Sequence, residues 1–336
     1  MTPYRMPAEW EPHEATWIAW PHNEEDWPGR FSPIPWVYGE IVRKLADVEK
    51  VRILVRDEDL RESARAVLEK VGANLAAVEF LVLPTDRVWT RDFAPLFLKS
   101  PEGRPLAVKW RFNGWAKYDN HGLDEAAGRA IPGLAGVSAV LPDMVLEGGS
   151  LDVNGSGLLL TTEECLLSPV QARNPGMSRA GIEEMLGRHL GIDQVLWLRN
   201  GITGDDTHGH VDDLARFTDA ESIVMVSEED PSDANYEVLR ENWELVRDWP
   251  LRKRKLPMPA PVVFDGVRLP ASYANFYIAN GTVLVPTFHD PNDRIALNIL
   301  AECFPGRKVV GISCVELVWG LGTLHCMTQQ QPASAL

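Results

Sequence analysis

The chain has 336 residues, with 33 Lys+Arg against 48 Asp+Glu and a formal net charge of −15. That balance excludes nucleic acid as an expected partner, because phosphate binding needs a basic surface and a polyanion would be repelled. Apolar residues at 45% and charged residues at 24% fit a folded globule with material for a large core and exclude disorder as the main state.

The amino terminus reads MTPYRMPAEWEPHEATWIAW. It mixes charges with apolar residues and matches neither a secretory signal nor a transit peptide. No later stretch approaches the roughly 18 apolar residues that a membrane span needs. No membrane association and a cytoplasmic location are therefore expected. The four cysteines, Cys165, Cys303, Cys314 and Cys326, show no CxxC spacing, which weighs against a disulfide framework or a zinc knuckle.

In chain order, Asp57 is a predicted N-cap, and Leu60, Ala64, Val67, Leu68 and Val71 share one helical face before Gly72 ends the pattern. Val78 to Leu83 reads as a buried strand, the polar loop TDRVWTRDFAP follows, and Leu96 to Leu98 resumes a strand. The order then repeats. Ile182, Met185, Leu186, His189 and Leu190 form a stripe closed by Gly191, Val195 to Leu198 form a strand, and RNGITGDDTHGHVDD leads to a strand at Ile223 to Val226. Weaker versions run through 124–160, 233–285 and 292 to the end.

Asp92, Glu147, His210, Asn275 and Cys326 mark the polar loops, with separations of 55, 63, 65 and 51 by subtraction of their numbers. A spacing near 60 suggests five copies of one supersecondary unit packed around a common axis, with equivalent loops converging. Helix–strand alternation is equally the pattern of an open doubly wound sheet.

Cys326 lies in WGLGTLHCMTQQQ, where Gly320 and Gly322 allow a tight backbone path. An isolated cysteine there is a core residue of the last strand; as a nucleophile it needs a base or cation brought from elsewhere. His325, on the opposite face of such a strand, reads as structural. His210, inside GDDTHGHVDDLARF, is the better partner, since in an extended segment it projects on the same side as Asp212. The rival reading is a zinc site on His208, His210 and the surrounding Asp205, Asp206, Asp212 and Asp213. No second matched pair or HExxH helix accompanies it. Asp92 in VWTRDFAP and Glu147 in LEGGS bring the carboxylates to three. So much negative charge raises thiol and carboxyl pKa values unless a cation enters, and the cation that matches paired carboxylates is a planar guanidinium.

At this point the sequence resembles the agmatine deiminases and related bacterial peptidylarginine deiminases of the guanidino-modifying pentein superfamily. The matching stretches are MPAEWEPHEATWIAWP, WTRDFAP, FNGWAKY, EGGSLDVNGSGLLLTTEECLLSP, GHVDDLARF, ASYANFYIANGTVLVPTF and LHCMTQQQPA, in the family's order from end to end. The resemblance implies an α/β fold, a five-bladed pentein propeller with pseudo-fivefold symmetry, as one catalytic domain over 1–336. It implies Cys326 as nucleophile, His210 as general acid/base, Asp92 and Asp212 as guanidinium clamps, Glu147 as a further guanidinium-binding and catalytic carboxylate, and Trp89 and Trp115 lining a substrate channel. Expected are agmatine as substrate, no metal or other cofactor, and an oligomeric state left open. Peptidylarginine is the alternative within the same chemistry; a zinc amidohydrolase and a non-catalytic polyamine-binding module are the alternatives outside it. Leu321, His208 and Asp213 depart from the family pattern, which reads GGGNIHC and DETNGHVDN there, and they leave substrate choice open.

Overall fold

The structure is a computed structural model, and it describes residues 4–334. Its strand His13–Ala19 pairs antiparallel with the last strand, Gln329–Pro332, and parallel with Lys50–Val55, the helix Ile34–Leu45 making the crossover. The next helix, Glu58–Val71, begins and ends where its local chemistry dictates. The Asp57 side chain accepts from Leu60 N, and Gly72 takes the left-handed conformation at φ 72°.

The strand that follows, Val78–Val82, differs from expectation. It is half exposed, with Val82 49% accessible, because it is the outermost strand of its four-stranded sheet and has a neighbour on one side only. An apolar run alone does not reveal which strand sits at an edge.

An antiparallel pair followed by a parallel neighbour recurs in four three-stranded sheets. They are Leu96–Lys99, Pro105–Val108 and Ala139–Val140; Asp152–Val153, Leu158–Thr162 and Gln194–Leu198; Ala215–Asp219, Ser222–Ser227 and Arg252–Pro257; and Tyr277–Ala279, Thr282–Thr287 and Lys308–Ser313. A parallel neighbour needs a long crossover. Helices Gly122–Leu134, Arg179–Leu190, Tyr236–Val246 and Pro291–Cys303 supply it. The middle strands, such as SIVMVS and TVLVPT, are buried almost throughout, as expected where both faces of a strand are covered.

The larger apolar core includes Trp17, Trp27, Tyr38, Ile53, Phe93, Phe217 and Phe276. A second cluster gathers Leu96, Trp110, Leu151, Leu159 and Leu186. In each of these five sheets a loop residue named above lies two to five positions before the first strand of the antiparallel pair, or before the last strand of the chain in the case of Cys326. Backbone and side-chain bonds join these loops: Arg91 N donates to Cys326 O (3.1 Å), His325 N to Asn275 O (3.2 Å), and Gly149 N to Asp92 Oδ1 (3.0 Å). Among the described residues no helix is long and apolar enough to cross a membrane.

Candidate active site

Cys326 sits in a turn that precedes the last strand rather than in that strand. Gly322 makes the turn possible, since a Cβ there would lie 2.8 Å from the Trp89 ring and 3.1 Å from Cys326 Cβ. Asn275 holds the turn from the facing loop. Its Oδ1 accepts from Thr323 Oγ1 (2.7 Å) and from the His325 (3.0 Å) and Cys326 (3.4 Å) amides, while its Nδ2 donates to Cys326 Sγ (3.1 Å). A donor at that distance stabilises a thiolate over a thiol.

The carboxylates close around the same point. Asp92 Oδ2 accepts from Trp115 Nε1 (2.9 Å), and Asp212 Oδ2 lies 3.7 Å from Cys326 Sγ. A Cβ on Gly149 would be 2.6 Å from His210 Nδ1, 2.9 Å from Asp92 Oδ1 and 3.1 Å from Asp212 Oδ2. The second glycine of EGGS is therefore the floor against which an imidazole and two carboxylates converge. Glu147 accepts from Arg173 Nε through both oxygens (3.1 and 3.3 Å) and lies 3.5 Å from His210 Nε2.

One pairing differs from the sequence reading. His210 does not project alongside Asp212 from an extended segment, because Val211–Asp213 is a 3-10 turn that His210 caps. The imidazole instead faces Glu147 and Asp92, whose Oδ1 is 3.9 Å from Nδ1. His325, in the turn rather than on a strand, also differs: it reaches Asp212 Oδ2 at 2.7 Å and Glu9 Oε2 at 2.9 Å.

Burial and crowding of like charges set the protonation behaviour. Burial, then Asp212, Asp213 and Asp92, pushes the Cys326 thiol well above its ordinary value. Asp92 is pushed up to about 6 by burial, with Asp212 and Glu147 adding and His210 opposing. Burial works against charge on His210, but Asp92, Cys165 and Glu147 outweigh it and raise its pKa well above the usual. Burial likewise opposes charge on Glu147 and on Asp212, yet Arg173 holds the first below the ordinary carboxylate range and His325 the second. Asp213, where relatives in the family pattern carry Asn, is pushed well up by burial, Asp212 and Asp205.

A cavity of about 400 Å³ opens onto Cys326 and Asp92 between Trp89 and Trp115, with Leu321, Tyr118, Glu25 and Asp206 in its walls. The zinc reading fails on geometry. His208, at φ 65°, turns away to Ser168 Oγ (3.0 Å) and Glu164 (3.7 Å), so His208 and His210 do not share a site. Among the described residues the donor atoms of Glu147, Cys165 and His210 lie within 4.8 Å of one another, but the Arg173 guanidinium already sits on Glu147. Arg173, Glu9 and Cys165 carried no signal in the sequence as site residues, and Asn275 served only to mark spacing. The three carboxylates Asp92, Glu147 and Asp212 together implied a cation, which the sequence reading assigned to a substrate guanidinium; beside Glu147 the structure has Arg173.

The chain matches the model of the Porphyromonas-type peptidyl-arginine deiminase family over residues 5–332. An agmatine deiminase of Ectopseudomonas mendocina (strain ymp) is 36% identical, covering 98% of this chain and 96% of that protein. Among solved structures, a C. jejuni agmatine deiminase with substrate bound superposes with a TM-score of 0.91 at 30% identity, over 98% of this chain and 97% of that one. An agmatine deiminase of Enterococcus faecalis gives a TM-score of 0.91 at 31% identity, over 98% and 96%. With a family match that spans nearly every residue and includes all the loops that meet at Cys326, the chain belongs to the Porphyromonas-type peptidyl-arginine deiminase family.

Proposed function

We propose that this protein is an agmatine deiminase, a hydrolase that converts the guanidinium of agmatine to the ureido group of N-carbamoylputrescine with release of ammonia. The observation that carries the reading is the meeting of one thiol, one imidazole and two carboxylates, with Cys326 and Asp92 open to a single cavity and His210 and Asp212 buried behind them. Asp92 and Asp212 grip the guanidinium nitrogens and present the central carbon to Cys326. The entering cation offsets the surplus negative charge that keeps the thiol protonated, so thiolate forms when substrate is bound.

The Cys326 sulfur then forms a bond to the guanidinium carbon, giving a tetrahedral adduct. His210, as imidazolium, gives its proton to one nitrogen, the C–N bond breaks, and ammonia departs, leaving an amidino-thioether. Water adds to that carbon as His210 takes a proton from it, and collapse of the second adduct breaks the C–S bond and frees the ureido product. Glu147, fixed by Arg173, keeps the His210 charge compensated. Asn275 steadies the sulfur through its Nδ2.

The choice of agmatine over arginine in a peptide is supported by the relatives' names and by acidic groups at the cavity mouth. Asp206 is engaged by Lys117 and Tyr118 Oη, and Asp26 by Arg87. The Glu25 carboxylate has no ion pair among the described residues and is exposed to meet the distal amine. We also read the five sheets as one pentein propeller and one catalytic domain, closed where Gln329–Pro332 pairs with His13–Ala19. A cytoplasmic site of action fits four free cysteines. The test is ammonia release from agmatine, free arginine and an arginine peptide, together with mass spectrometry of acid-quenched protein. An amidino adduct on the Cys326 peptide with agmatine supports the reading; turnover of the peptide alone reassigns the substrate, and full activity of Cys326→Ala refutes the mechanism.

A further inference from the structure

His325 takes no part in the proton transfers above, yet it is wedged between two buried carboxylates. Its ring is buried, Nδ1 lies 2.7 Å from Asp212 Oδ2, and Nε2 lies 2.9 Å from Glu9 Oε2. A neutral imidazole has one N–H and one lone pair. One of the two contacts would then set lone pair against lone pair in a dry interior. With both carboxylates ionised, as Glu9 is held against burial by the Arg216 guanidinium, the two contacts are satisfied together when both nitrogens carry protons.

The surrounding charges point the same way. Glu9 Oε2 also accepts from Arg216 Nη2 (3.0 Å) and Arg91 Nη2 (3.5 Å), and Arg216 Nε bonds Asp152 Oδ1 (3.1 Å). Arg91 and Arg216 face the carboxylates Glu9, Asp152 and Asp212 from one side and His210 acts on Asp212 from the other; a charged His325 adds the cation that lies directly between Glu9 and Asp212. Asp212 Oδ1, though buried, has no hydrogen-bond partner among the described residues. A buried acceptor left open is costly unless a ligand fills it.

We propose that His325 is a positioning residue for the guanidinium clamp: doubly protonated between Glu9 and Asp212, it fixes the Asp212 carboxylate beside Cys326 and leaves Oδ1 as the acceptor for a substrate N–H. The proposal rests on the guanidino-deiminase reading and extends it to the N-terminal segment, since Glu9 anchors the far side of the ring.

Two measurements test it. In the native protein, nitrogen-15 NMR of labelled histidine reads the ring directly, and His325 is assignable because it precedes the only cysteine that follows a histidine in the sequence. Protonated shifts for both ring nitrogens at neutral pH are expected; one bare nitrogen overturns the proposal. In kinetics, His325→Gln is expected to raise KM for agmatine about tenfold, as for loss of a charge-assisted hydrogen bond, with Cys326 still alkylated by iodoacetamide at a near-native rate. His13→Gln, another buried histidine that bonds Glu49 and the Glu9 carbonyl, should lower stability without moving KM. An unchanged KM in His325→Gln, or an equal rise in His13→Gln, refutes the positioning role. If His325→Gln fails to fold, the NMR result on the native protein decides. If native protein releases no ammonia from agmatine, the functional reading fails instead, and the NMR result still decides the charge on His325.

Discussion

Arg173→Met removes a guanidinium whose side chain, like that of its partner Glu147, is inaccessible to solvent. The change deletes the contacts of Nε with both Glu147 oxygens, the bond from Nη1 to Gln171 O (2.9 Å) and the bond from Nη2 to Thr207 O. Breaking a buried pair by removing one partner costs about 3–5 kcal/mol, because the survivor is left as an uncompensated charge. His210 Nε2, 3.5 Å from Glu147, remains as a cation on one oxygen, which argues for the lower end, about 3 kcal/mol. Spread over the unfolding entropy of 336 residues, that corresponds to a fall in Tm of roughly 4 °C. The pH dependence carries the sharper test. In the native protein the Glu147 pKa is held low, so its stabilisation is present above the ordinary carboxylate range and is lost as pH falls through the depressed value. In the variant, burial without the guanidinium raises that pKa, so the deficit is greatest at neutral pH and shrinks as acid protonates Glu147. Thermal denaturation followed by circular dichroism at neutral and mildly acidic pH measures both. A neutral-pH deficit below about 1 kcal/mol, the size of an exposed pair, or a gap that widens toward acid, would refute the reasoning.

Asp92, pushed up to about 6 in the free protein, must be ionised to grip a guanidinium, so kcat/KM is expected to fall as pH drops through about 6; a flat profile there contradicts the clamp. The raised Cys326 pKa means little thiolate without substrate, so alkylation of the empty protein by iodoacetamide should be slow at neutral pH and accelerate steadily into the alkaline range. A rate already maximal at neutral pH would show a preformed thiolate. Glu25→Gln should raise KM for agmatine about two- to fivefold, the scale of an exposed charge pair, and leave an arginine peptide unaffected; parallel changes for both substrates would remove Glu25 from tail recognition.

Helix ends and strand cores were readable because their determinants are local. Asp57 and Gly72 bound one helix, and Gly191 ends another, as side-chain oxygens and a missing Cβ dictate wherever they fall in a fold. Four of the five loop markers were legible for a different reason: nucleophile, imidazole and carboxylates are rare enough in combination to stand out, whereas Asn275 was found by spacing alone. Their mutual pairing was not. His210 against Glu147 rather than Asp212 depends on a 3-10 turn at Val211–Asp213, and a single turn has no periodicity to read. Arg173 and Glu9 act across 26 and 316 positions, to Glu147 and His325 respectively, separations at which no spacing rule applies.

By itself, then, the order of residues determined the repeating α/β units, the identity of the groups available for chemistry, and the need for a flat cation among clustered acids. Only the tertiary structure decided which nitrogen meets which oxygen, that Asn275 and Arg173 secure the thiol and Glu147, and that His325 bridges Asp212 to Glu9. The physical reason is range. Backbone propensity and capping act over a few positions of the chain, whereas charge and hydrogen bonding in a dry interior act through space and become definite once the loops of five separate sheets are brought together.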